Sequence, residues 1–333
     1  MAKLSVDPNF AALPFTFRPA LLLAVLQAPD GVWNNSMLTV PSARAESFQG
    51  VGTIPAARRL LEYGWDRDAP PLTQARRTLF RLLAEDEDPA YLYELVPRGK
   101  TVDRELVRHG RALLREAAAA ALAHAGYESD PRLRGAARRI LERIDAYLRS
   151  PLAQKPFVRS GNQHVLPSES SPPSMWSLTM LAHMPLFRSE HYEITERLYE
   201  YLTQPQPRAA PAMVLSNKVI ALPHLVMGDP LPHRNAVDAD IPAALNWLEL
   251  MARLAYLRRN ETWSKLYERF LDERDRDGIW RPSRSGAALR STNPIVWPGA
   301  SLEEQTAGDE RWSDVTFRLG LIARLSGRGV NLM

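Results

Sequence analysis

The sequence predicts an all-α fold of helical hairpins repeated about a common axis. Three observations carry this. The stretch Gln27-Ala28-Pro29-Asp30-Gly31-Val32-Trp33 is echoed by Arg274-Asp275-Arg276-Asp277-Gly278-Ile279-Trp280, each placing a Gly-x-Trp just after an apolar helical segment. In both, Asp-Gly supplies a tight turn, and the Trp two residues on can fold back over the helix end just left. A helix pair also recurs. Leu60-Leu61-Glu62-Tyr63-Gly64-Trp65, a polar turn with proline and Arg76-Arg77-Thr78-Leu79 match Leu122-Ala123-His124-Ala125-Gly126-Tyr127, a turn through Asp130-Pro131 and Arg138-Arg139-Ile140-Leu141. Finally, no convincing run of alternating β-branched residues argues for a strand. The 27 prolines sit mainly between the helical stretches.

Residues 1–18, with Pro8 and Pro14, read as an irregular lead-in. Residues 19–27 read as a short buried helix with Pro19 in its first turn, ended by Pro29-Asp30-Gly31. Thr53 caps a helix over 54–63 through its hydroxyl, and Gly64 stops it. A second helix runs over 72–84, with Leu79, Leu82 and Leu83 as its apolar stripe. After the second pair, a third takes 177–186 and 191–202, and a fourth takes 242–257 and 262–271. A last helix over 315–325 ends at Ser326-Gly327. The copies lie roughly sixty to seventy residues apart with variable loops, unlike a strict short-period array. The count comes to roughly ten to twelve helices. Ser168-Glu169-Ser170-Ser171-Pro172-Pro173 is the best linker, yet the same grammar continues on both sides. Residues 1–150 carry 21 basic and 18 acidic side chains, and 151–333 carry 21 and 20. We therefore read 19–333 as one domain.

A chain of 333 residues, 45% hydrophobic and 24% charged, fits a soluble globular protein with a sizeable core. The absence of cysteine removes disulfides, thiol catalysis and Cys-ligated metal sites, and leans toward the cytoplasm. The N-terminus lacks a signal-peptide pattern, and the longest apolar run, 19–29, is too short to span a bilayer. Positive charge is overwhelmingly arginine. Pairs at Arg58-Arg59, Arg76-Arg77, Arg138-Arg139 and Arg258-Arg259 are interleaved with Asp and Glu, and read as solvated helix faces with ion pairs. Nucleic-acid binding would need that charge gathered on one face.

Gln27-x-x-x-Gly31-x-Trp33 has the form of the Gln-Trp motif of squalene–hopene cyclases and related triterpene cyclases, and the second turn keeps its Gly278 and Trp280 but not the Gln. With the helix-pair grammar over residues 20–325, the chain resembles the terpenoid-cyclase and protein-prenyltransferase superfamily. The resemblance implies an α/α toroid, a barrel of inner helices surrounded by outer ones, with a cavity at one end for an apolar isoprenoid-type ligand. It also implies a catalytic acid. Class II terpene cyclases carry Asp-x-Asp-Asp at the start of an inner helix, and the middle Asp protonates an alkene. Asp238-x-Asp240 matches the first and middle positions, with Ile241 in place of the last, so Asp240 is the candidate acid and Asp238 its neighbour. Such an acid must stay protonated, which takes burial and a neighbouring anion. Just before Ile241-Pro242, Asp240 is also a good helix N-cap, the reading that the local sequence favours.

Cyclases line their cavity with aromatic rings that stabilise carbocations. Trp176, Trp297 and Trp312 follow proline-rich or polar loops and, with Phe317, are the candidate ligand-binding residues. The stretch Asp309-Glu310-Arg311-Trp312-Ser313-Asp314 takes the position that lines the opening in related toroids. Aromatics at helical spacing equally read as plain core. Prenyltransferases hold zinc with Asp, Cys and His, but here Cys is missing and the histidines form no metal-binding spacing, so neither metal nor cofactor is expected. His124 and His183 take equivalent places in their repeats and read as satisfied, partly buried side chains. There is no Gly-x-Ser-x-Gly, and Gly50-Val51-Gly52-Thr53 lacks the strand and Lys of a nucleotide loop. Two other functions stay open. One is a non-catalytic toroid that binds a protein or polymer on its concave face. The other is a carbohydrate-active (α/α) barrel lyase or hydrolase, which needs paired carboxylates.

Overall fold

A computed structural model describes residues 12–42, 45, 47–84, 103–282, 289–302 and 312–329. Most of the 1–18 lead-in and the acidic stretch 309–311 lie outside the described residues. The helices are α1 (Arg18–Val25), α2 (Thr53–Glu62), α3 (Pro70–Leu83), α4 (Arg104–His124), α5 (Pro131–Arg149) and α6 (Met175–Ala182). They continue with α7 (Pro185–Glu190), α8 (Tyr192–Leu202), α9 (Arg234–Ala239), α10 (Ile241–Arg253), α11 (Glu261–Asp272) and α12 (Ser313–Leu325). Two small antiparallel hairpins pair β1 (Val158–Ser160) with β2 (Gln163–Val165), and β3 (Ala212–Leu215) with β4 (Lys218–Ala221). The all-α expectation therefore holds for the bulk of the chain. The hairpins depart from it because strands of three or four residues are too short to show alternation.

Two kinds of helix follow from two kinds of sequence. Helix α6, Met-Trp-Ser-Leu-Thr-Met-Leu-Ala, has no polar stripe, and every residue from Trp176 to Ala182 is buried. A helix apolar all round needs neighbours on every side. Residues Ala117–Ala121 of α4 are buried too, and their small side chains let α3 and α6 approach closely on either side. Helix α5 is amphipathic instead. It buries Leu133, Ala136, Ala137, Ile140, Leu141, Ile144 and Tyr147, and leaves Arg138 and Arg139 in solvent. Each large aliphatic side chain on such a stripe contributes about 1.5–3 kcal/mol by leaving water. In space α2 packs on α4, α4 on α6, α6 on α10 and α10 on α12.

Helix ends repeat a single device. Gly64, Gly126, Ala255 and Gly327 adopt left-handed φ of 86°, 81°, 62° and 72° after α2, α4, α10 and α12. The next N–H then returns to the carbonyl five residues back: Trp65 to Leu60, Tyr127 to Leu122, Tyr256 to Met251 and Arg328 to Ala323, at 2.8–3.1 Å. These bonds satisfy carbonyls that a helix end otherwise leaves unpaired.

The Gln27–Trp33 turn closes as a bridged loop, with Ala28 N–H donating to Val32 O at 2.8 Å. The Gln27 amide donates to Gly31 O at 3.0 Å and across to Pro71 O at 2.8 Å, tying the end of α1 to the start of α3. The Trp33 indole N–H folds back onto Leu23 O at 2.8 Å. The second turn has the same bridge, Arg274 to Trp280, and the same closing bond, Asp275 N–H to Ile279 O at 2.8 Å. Lacking Gln, its first side chain stays local, with Arg274 Nε donating to Leu271 O at 2.9 Å. One detail corrects the sequence reading: Gly52 is the N-cap of α2, and the Thr53 hydroxyl caps nothing there, since it accepts from Trp33 N–H at 3.1 Å and donates to Ser36 O at 2.8 Å.

Candidate functional site

The helix ends bring their last polar residues together. Glu62, His124 and Arg253 each stand two residues before the left-handed stop of α2, α4 and α10. His183 follows the last residue of α6. Arg318, from the second turn of α12, joins them. Its Nη2 donates to Glu62 Oε2 at 2.6 Å, its Nη1 to Glu249 Oε2 at 2.9 Å and its Nε to Gly299 O at 3.1 Å. Arg253 Nε holds the other Glu249 oxygen at 2.8 Å. The first and last helices of the packing series α2–α4–α6–α10–α12 are thus joined through one guanidinium.

The two imidazoles lie side by side with centroids 4.6 Å apart. His124 Nε2 is 3.5 Å from Glu62 Oε1, and His183 Nδ1 is 2.9 Å from Thr179 O. Burial holds both rings well below the ordinary histidine range, reinforced by Arg58 and Arg253 at His124, and by Arg253 and His124 at His183. Both are neutral near pH 7. Burial pushes the Glu249 carboxyl up, but Arg318 and Arg253 outweigh it and hold the acid well below its usual range. Burial likewise pulls Arg318 down, and Glu62 and Glu249 more than reverse the shift.

Above this cluster lies a cavity of about 50 Å³ that opens to solvent. Its apolar wall includes Ile241, Leu245 and Leu250 of α10, Val315 of α12, and Ile295 and Val296 of the 289–302 segment. Arg58, Glu62, His183, Glu249 and Arg318 supply its polar floor. The 289–302 segment is strapped down by Arg59, which is only 1% exposed. Arg59 donates to the carbonyls of Trp297, Ala300 and Ser301, and its guanidinium lies 4.8 Å from the Trp297 ring centroid. Arg58 is 5% exposed and donates from Nη1 to Ile295 O at 3.0 Å. The Arg58-Arg59 pair is therefore buried, correcting its reading as a solvated face. The Arg138-Arg139 and Arg258-Arg259 pairs are exposed as expected.

The residues singled out in the sequence lie elsewhere. Asp240 is exposed and caps α10, accepting from Ala243 N–H at 3.0 Å. That is the capping arrangement, and the burial on which a proton-donating role depends is missing. Asp238 is exposed on α9 and paired with Arg269. Trp176 is buried in α6, with the Arg58 guanidinium 5.8 Å from its ring centroid. Trp312 is buried against Trp280, with centroids 5.3 Å apart. Trp297 is half-buried and lines a neighbouring cleft with Arg59 and Ser47. Phe317 is 55% exposed. None of these four aromatics lines the central cavity. The large rings are used mainly as core, as in the edge-to-face pair Trp247–Trp263 at 5.8 Å.

The repeat aligns three members of the cluster, though nothing in it says that they face inward. Aligning Leu60–Trp65 with Leu122–Tyr127 places Glu62 on His124, and the stop at Ala255 places Arg253 at the same register. Chemically, the arrangement offers apolar walls and a floor whose two carboxylates are both clamped on Arg318. Among the described residues no group of three or more acidic or imidazole side chains is placed to hold a metal ion, and no helix is long and apolar enough to cross a membrane. No family model, no curated protein and no solved structure matches this chain.

Proposed function

We propose that the chain is a terpenoid-cyclase-like α/α toroid that binds an apolar, isoprenoid-type ligand in its central cavity without protonating it. The apolar-walled cavity over the Arg318 cluster carries this reading. The ring closure is supported by the packing series from α2 to α12 and by the Arg318–Glu62 bond between its ends. Binding is favoured over alkene protonation because that chemistry needs a carboxylic acid kept neutral inside the cavity. Glu249 is held ionised, and Asp240 stands in solvent. Glycoside hydrolysis is disfavoured for a related reason. It needs one carboxyl free to donate a proton and a second free to act on water or the sugar, whereas Glu62 and Glu249 share one guanidinium.

Calorimetric titration with farnesol tests the reading. Saturable one-to-one binding is expected, with no cyclised product by gas chromatography. Leu245→Trp fills the cavity and should abolish binding while circular dichroism stays native. Asp240→Asn should bind as the wild type does. Farnesol binding that survives Leu245→Trp would place the ligand outside this cavity and end the proposal.

A further inference from the structure

Arg58 stands apart from the other charges of the cluster. The guanidiniums that line the cavity are Arg58 and Arg318, and its carboxylates are Glu62, Glu249 and Asp314. Arg318 bonds Glu62 and Glu249, and Arg253 bonds Glu249. Among the described residues Arg58 has no carboxylate within ion-pair distance, although Glu62 lies one turn along the same helix. Its one hydrogen bond goes to the Ile295 carbonyl, and its Nε–H is buried without an acceptor. Contact with the Trp176 ring face is its other compensation. The remaining carboxylate of the lining, Asp314, is half-buried on α12.

A buried cation without a direct ion pair is costly, and one carbonyl, one ring and the charges of Glu62 and Glu249 nearby offset only part of that cost. Burial draws the Arg58 pKa down to about 10, which leaves it charged at neutral pH. Among the described residues the lining thus holds one guanidinium, Arg58, that no carboxylate pairs, while Arg318 carries both Glu62 and Glu249. A second polar group has the same character: the side-chain amide of Asn246, which lines the cavity from α10, has its Nδ2 buried without an acceptor.

We infer that the ligand of the central cavity carries a single carboxylate, which seats on Arg58 and the Asn246 amide while its apolar tail runs between Leu245, Ile241, Val296 and Val315. This rests on the reading of the cavity as an apolar-ligand site. The planar Arg58 guanidinium, with its Nε–H unmatched, fits the shape of a carboxylate. From Glu249 to Ile241 the α10 wall rises about 12 Å, room for a tail above the head group.

The experiment compares farnesoic acid with farnesol, which share a tail and differ in the head group, by calorimetric titration of the full chain at pH 7.5. The acid should bind at least about tenfold more tightly, as expected for charge-assisted hydrogen bonds to a buried guanidinium. Arg58→Gln should remove that preference and Arg58→Lys should retain part of it. Equal affinities for acid and alcohol in the wild-type chain would overturn the carboxylate seat while leaving the cavity reading intact. If neither ligand binds, both fall. The wild-type pair of titrations decides the matter even if the Arg58 variants fail to fold.

Discussion

The backbone N–H of Trp33 donates to the Thr53 hydroxyl at 3.1 Å, and Trp280 repeats the bond to Thr316 at 3.0 Å. Each hydroxyl passes its own proton to a carbonyl, Ser36 O at 2.8 Å for Thr53 and Trp312 O at 2.9 Å for Thr316. A Gly-x-Trp turn is thus pinned to the first turn of the following helix, α2 in one case and α12 in the other. The two turns are equivalent in bonding as well as in sequence.

Thr53 is fully buried, so Thr53→Val keeps its shape but strands the Trp33 N–H, while Ser36 O keeps the Thr53 backbone N–H at 2.9 Å. Leaving such a group unsatisfied costs about 1–3 kcal/mol. Urea unfolding should show that loss for Thr53→Val and a much smaller one for Thr53→Ser. Thr316→Val should cost less than Thr53→Val, because its surroundings are only half-buried. Equal stability of the Val and Ser variants at 53 would show that the hydroxyl is not the pin.

The two turn glycines should respond differently to a methyl group. Both have positive φ, 87° at Gly31 and 78° at Gly278, and a side chain there costs about 1–2 kcal/mol. A Cβ on Gly31 would also lie 2.9 Å from the backbone carbon and oxygen of Gln74, whereas one on Gly278 meets nothing within 4 Å. Gly31→Ala should therefore lower the melting temperature clearly more than Gly278→Ala. The reverse order would contradict the close packing of the first turn on α3.

Acid should weaken the fold from about pH 6.5 downward, the ordinary histidine pKa. His124 and His183 are held below that value in the folded chain, so below it the unfolded chain takes up protons that the folded one refuses. Their contribution is complete above pH 6.5 and is lost as pH falls toward the folded pKa, at up to about 1.4 kcal/mol per pH unit for each ring. His224, which burial pushes down to about 4, adds a loss of the same sign over the same range. Urea midpoints between pH 8 and pH 5 should fall, and a His124→Gln/His183→Gln variant should fall less steeply. Parallel curves for the two proteins would mean that the paired rings do not titrate on unfolding.

How far the sequence could be read depended on whether a residue's role was local. Gly64 and Gly126 were legible as helix stops because a left-handed residue is needed there and glycine supplies it. Ala255 does the same job at φ 62° without being glycine, so the sequence ran that helix on to 257, whereas α10 ends at Arg253. Asp240 was legible as a cap for the same local reason. The cavity floor was not. Glu249 and Arg253, four residues apart, look like a solvated ion pair on a helix face. Only the packing of α2, α6, α10 and α12 turns that face inward, and no local pattern announces it. The tryptophans misled in the opposite direction, since their rings serve cores and cavities alike.

Arg318 offers the sharpest test of how the helix series is joined. It is 6% exposed and is shared by Glu62 and Glu249, so Arg318→Met leaves the half-buried Glu62 without its ion-pair cation, with His124 at 3.5 Å. Removing one partner of a buried ion pair costs about 3–5 kcal/mol. Glu249 keeps Arg253, so most of the loss should come from Glu62. Adding Glu62→Gln removes the orphaned charge and should restore much of the stability at pH 7. Guanidinium unfolding of the two variants at pH 7 separates these cases. If Arg318→Met/Glu62→Gln is as unstable as Arg318→Met at pH 7, the bond to Glu62 is not what ties α12 to α2.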